Sequence, residues 1–350
     1  MQLNALTSRP RHTPDPTEPG LARSETTAGG RADQSASASS PATRDTDERA
    51  GDPRAVVSLT QSRSATKSAG PSAAQVLRRL DAHREAFAGP YLVDGKKLHV
   101  DPQFRMMGGF GTGPDQALEL AKRALAPEVY QELASQIAMV ASGKASAPML
   151  VRVTQALIDA GAHRELGSGE EAVRKMMWKH GIGVDCSGYT RSAFLASRGV
   201  SEQQAGRYGI PKSSDGFNPN VMSGFRKVAP EQVRAGDVCV LGRVGDGHKV
   251  IVASHSLIPG GNKVEVPGHQ GPLPSSFTQG GPIHLMEVDS SWGAGRDGSE
   301  SGGVRRALWL YNESSKSWAS IDYYGAFRPS KSSGPYDYPL TGFYRPRQER

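Results

Sequence analysis

The chain has 350 residues and a formal net charge of +7, and its 4 Trp, 10 Tyr and 9 Phe all lie after position 70, the first being Phe87. No run of 18 or more apolar residues is present, which excludes a transmembrane helix, and the basic residues are scattered rather than clustered, which argues against nucleic-acid binding. The opening residues carry no charged segment followed by an apolar one, so a Sec signal peptide is not expected.

Residues 1–70 contain 19 Ser or Thr, with nine Lys/Arg against eight Asp/Glu. Such a stretch has too little apolar area to offset the entropy of ordering it, and is expected to be a disordered leader. Residues 71–164 read as a helical region of unknown role. Apolar spacing predicts a helix over Ser72–Phe87, then an extended piece at Lys97–Val100. The run Gly108-Gly109-Phe110-Gly111-Thr112-Gly113 has no Lys-Ser/Thr after it, so a plain loop is expected rather than a phosphate loop. Helices are expected over about 115–142 and 148–160. Beyond Val233 short β-rich runs alternate with Gly, Pro, Ser and Asn turns. Helices first and strands afterwards predict an α+β fold.

The chemistry concentrates after position 165. In Val184-Asp185-Cys186-Ser187-Gly188-Tyr189 a cysteine stands at the expected first turn of a helix running to about Ser197. The unpaired amides there stabilise a thiolate and can donate to an oxyanion. Cys186 is therefore the candidate nucleophile. Cys239 alternates with Val238 and Val240 and is expected to be a core thiol. A nucleophilic cysteine needs a base, and His248, opening the run Gly247-His248-Lys249-Val250-Ile251-Val252, is the candidate. A third group should orient the imidazole. Asp289 and Glu287 share one face of an expected strand over 283–291, and Glu265 is a further candidate if 263–266 forms the strand beside His248.

Asp185-Cys186-Ser187-Gly188, Ala235-Gly236-Asp237-Val238, and Gly247-His248 opening an apolar strand together resemble the NlpC-type cell-wall peptidases of the papain-like cysteine peptidase superfamily. The resemblance covers about residues 165–348, with Leu340–Pro346 similar to the last barrel strand. It implies a papain-like cysteine hydrolase domain over 165–350, in which a helix bearing the nucleophile packs on a small antiparallel sheet. It also implies a Cys186 nucleophile, a His248 base and amide hydrolysis through a thioester. Peptidoglycan stem peptides are the default substrate. Alternatives are a secreted effector or toxin using the same chemistry on another cell's protein or lipid amide, exported by a specialised machinery through the leader, and a papain-like binding module without catalysis. No cofactor or metal is expected.

Overall fold

A computed structural model describes residues 70–104, 113–211, 217–242, 247–261, 264–293, 302–322, 325–335 and 338–349. The expected leader and nearly all of the Gly-rich run lie outside these residues.

The first half is helical. Helix α1 (Ala73–Phe87) starts at a capping box in which Ser72 and Gln75 satisfy each other's backbone N–H groups, and it buries Val76, Leu80 and Phe87. Two short strands follow, β1 (Tyr91–Val93) and β2 (Lys96–Leu98), then the two-residue β3 (Gln103–Phe104). The single helix expected over 115–142 is two, α2 (Pro114–Ala124) and α3 (Pro127–Ala141). The break is local chemistry: the residue before a proline avoids helical backbone, and Ala126 before Pro127 sits at ψ 145°. Helix α4 (Ala147–Asp159) matches its expected span, while α5 (Gly169–Lys179) buries Ala172, Val173, Met176 and Met177 along one face. Strand β4 (Gly183–Val184) then leads directly into α6 (Cys186–Arg198).

The second half is mainly sheet: β5 (Phe225–Val228), β6 (Val238–Leu241), β7 (His248–Ile258), a one-turn helix α7 (Ser275–Thr278), β8 (Ile283–Trp292), β9 (Gly303–Asn312), β10 (Ser317–Ile321), β11 (Phe327–Pro329) and β12 (Leu340–Pro346). Eight of these strands form one antiparallel sheet in the order β11-β10-β9-β8-β7-β6-β12-β5. The architecture is α+β.

The sheet is curled. Four strands separate β10 from β12, yet the Trp318 and Phe343 rings stack with centroids 6.0 Å apart. The inside of the curl holds one buried cluster, including Cys239, Leu241, Val250, Val252, Met286, Val288, Trp292, Trp309 and Phe343. The outer face carries Val238, Val240, Ile251, Ala253 and Val304 in a larger core shared with α1, α3, α4, α5 and α6. The helices and the outer face of the sheet thus bury their apolar sides against one another, and the described residues form a single compact unit. A further apolar cluster at the other end of β8 and β9 packs Ile283, Leu285 and Leu310 against Val264, Val266 and Phe277.

Candidate active site

Cys186 occupies the first turn of α6, as its sequence context predicts. The local reasons are legible in the four-residue motif. Asp185 is the N-cap, its carboxylate accepting the Gly188 N–H at 2.6 Å. Gly188 is required by proximity: a Cβ there would collide with the carbonyl oxygen of Gly143, in the loop between α3 and α4. That same carbonyl accepts the Asp185 N–H at 2.9 Å, and Lys144 pairs with the Asp185 carboxylate. The parallel pairing of β3 with β4 and the bond from Ser291 Oγ to the Val184 carbonyl (2.6 Å) complete the anchorage. The thiol is half-buried. Its pKa is raised, by burial first and by the Asp185 charge second, while the backbone and ammonium of Lys249 and the Ser187 hydroxyl pull the other way.

The base does not join it. His248 pairs with Leu241 and belongs to the inner face of the curl, with Val250 and Val252. Its ring lies tilted against Trp292, centroids 4.7 Å apart, and its Nε2 is buried without a hydrogen-bond partner. Burial, with lesser contributions from Lys249 and Arg305, lowers its pKa to about 4. The outer face of β7, which α6 covers, presents the neighbouring residue instead. Lys249 Nζ donates to Ser187 Oγ at 3.0 Å, and the Lys249 carbonyl accepts from Thr190 Oγ1 at 2.9 Å and Ser290 Oγ at 2.7 Å. The physical reason is strand parity: adjacent residues of a strand point to opposite faces, so only one of His248 and Lys249 can face the cysteine helix.

The carboxylates have other partners. Asp289 is fully buried and held in a fork by Arg306, with both oxygens at 2.8 Å. Arg306 also reaches Asp81 of α1 at 2.9 Å and lies 3.8 Å from Glu287, which accepts from Ser254 Oγ at 2.7 Å. Asp289 and Glu287 do share one face, as expected, but it is the outer face, with His248 on the inner one. Burial raises the Asp289 pKa against the pull of Arg306. Its role here is to clamp α1 onto the sheet. Glu265 lies in a non-strand segment between Val264 and Val266, and the neighbours of β7 are β6 and β8, so it does not flank His248.

No family model, curated protein or solved structure matches this chain. The residues themselves therefore carry the functional argument.

The Gly236-Asp237 turn is a structural device. Gly236 at φ +89° lies against Arg198, whose guanidinium a Cβ would strike and whose Nη1 donates to the Gly236 carbonyl at 2.8 Å. Asp237 is fully buried, in a two-point ion pair with Arg345 of β12 at 2.8 and 2.7 Å. Cys239 is a buried core thiol whose pKa burial drives upward. Sequence reading overlooked Lys249, Lys144 and Arg306. Lys249 stood beside the chosen histidine, and only the parity of β7 distinguishes the two.

Among the described residues no group of three or more His, Cys, Asp or Glu is placed to hold a metal ion, and no helix is long and apolar enough to cross a membrane.

Proposed function

We propose that this chain is a cysteine-dependent amide-bond hydrolase with a papain-like core and Cys186 as its nucleophile. The observation that supports it most is a partly buried thiol at the first turn of an Asp185-capped helix laid on the outer face of an antiparallel sheet. In this reading the Cys186 sulfur bonds to the substrate carbonyl carbon, and backbone N–H groups of the first turn of α6 donate to the oxyanion. The C–N bond then breaks with a proton delivered to the departing nitrogen, and water releases the acyl group from the thioester. The resemblance of the three motifs makes peptidoglycan stem peptides the default substrate class, and an amide in another cell's protein or lipid is the alternative.

A second reading, a papain-like binding module without catalysis, is favoured by one observation: His248 and Asp289 are engaged elsewhere, with Trp292 and Arg306. Incubation of the full chain with purified peptidoglycan fragments, followed by mass analysis, separates the two. New cleavage products that vanish in Cys186→Ser support hydrolysis. Retention of intact fragments by both proteins, with no products, supports binding alone.

A further inference from the structure

We infer that Lys249, not His248, is the proton-transferring partner of Cys186. The inference rests on Cys186 being a nucleophile and goes beyond that by naming the group that works with it.

Four observations converge on Lys249. Its side chain lies on the face of β7 that α6 covers, and its ammonium donates to Ser187 Oγ, the hydroxyl of the residue next to the cysteine. Its backbone is pinned under the first turns of α6 by Thr190 and Ser290. Its position is thus fixed against the same helix that carries the nucleophile. Meanwhile the alternative base is committed to the inner face, its ring against Trp292. Among the described residues, charged groups around the cysteine include Asp185 at the N-cap of its helix, Lys144 from the loop between α3 and α4, and Lys249 from β7. Lys144 is paired with Asp185, and the Lys249 ammonium is the cation whose charge favours the Cys186 thiolate.

The step balances. Loss of the thiol proton to solvent, which burial and Asp185 oppose and Lys249 and Ser187 favour, yields a thiolate–ammonium pair. The thiolate attacks the carbonyl, the S–C bond forms, and the Lys249 ammonium gives its proton to the leaving nitrogen as the C–N bond breaks. The resulting neutral amine takes a proton from water, whose oxygen attacks the thioester and frees the acid. Thiolate and ammonium are then restored.

The test uses the full chain as wild type, Lys249→Met, Lys249→Arg and His248→Gln. Iodoacetamide alkylation of Cys186 is followed against pH, alongside p-nitrophenyl acetate hydrolysis, in which the burst reports acylation and the steady state reports deacylation. We expect Lys249→Met to slow alkylation at pH 7 at least about tenfold, equivalent to a midpoint one pH unit higher, and His248→Gln to leave it unchanged. Lys249→Arg should keep the charge, and with it alkylation and the burst, but lose roughly a hundredfold of steady-state turnover for want of a proton carrier. A Lys249→Met profile matching wild type, or a His248→Gln profile shifted upward, overturns the inference. If turnover depends on Cys186 and survives Lys249→Met, the hydrolase reading stands without Lys249. If wild-type Cys186 neither alkylates nor acylates, both fall.

Discussion

The two faces of β7 have opposite lives. The inner face, His248-Val250-Val252, points into the curl of the sheet among tryptophans, and its one polar ring is left with a buried, unpartnered nitrogen. The outer face, Lys249-Ile251-Ala253, meets the cysteine helix, and its one polar side chain reaches the hydroxyl of Ser187, the residue next to Cys186. A single step along the strand separates a ring packed against Trp292 from an ammonium that meets the cysteine helix. Residue type alone therefore does not identify a site residue; the face it occupies does.

That contrast can be broken most severely at the ion cluster holding the outer face together. Arg306→Met leaves Asp289 buried without its fork, and removing one member of a buried pair costs about 3–5 kcal/mol. Urea unfolding should show this loss, and Cys186 alkylation should become less selective as α1 loosens. A smaller effect is expected at Gly188→Ala. Alanine is the better helix former, so any loss isolates the clash with the Gly143 carbonyl, and overpacking of this kind costs about 1–3 kcal/mol. The midpoint of thermal unfolding checks it; an unchanged or higher midpoint would show that the loop between α3 and α4 yields freely.

The mildest probe is acid. Burial first, then other cations, lowers the pKa of His248 from 6.5 to about 4, and burial lowers those of His83 and His180 to about 4 as well. The unfolded chain takes up these protons near pH 6.5 while the folded one resists until about pH 4. Stability supplied by the neutral rings is thus complete above pH 6.5 and is lost as pH falls toward 4. His248→Gln should flatten this slope in denaturation measured across that window. An unaltered slope would mean that the inner-face ring is not held neutral by its surroundings.

Much of the helical half was legible because its signals are local. Ser72 and Gln75 form a cap with their own neighbours and Asp185 caps the helix that raises Cys186, whereas the break between α2 and α3 before Pro127 went unread although its signal is as local. The motif Asp185-Cys186-Ser187-Gly188 could be read to the residue for the same reason. The partners of the cysteine could not. In β7 both faces are apolar, Val250 and Val252 on one side and Ile251 and Ala253 on the other, because core lies on both sides of the strand. The alternation that would have told His248 from Lys249 is erased by that double burial. Asp289 and Glu287 were correctly placed on one face, but that this face meets α1 depends on Arg306 reaching Asp81, 225 positions away in sequence.

The amino-acid sequence by itself determined most of the helices, the α+β order and the placement of Cys186 at the first turn of α6, since each is decided largely by interactions within a few residues. The tertiary structure alone decided which face of β7 the cysteine helix covers and which cation binds Asp289. Those outcomes follow from how a curled sheet divides its residues between an inner and an outer core, and from long-range pairings that no local pattern records.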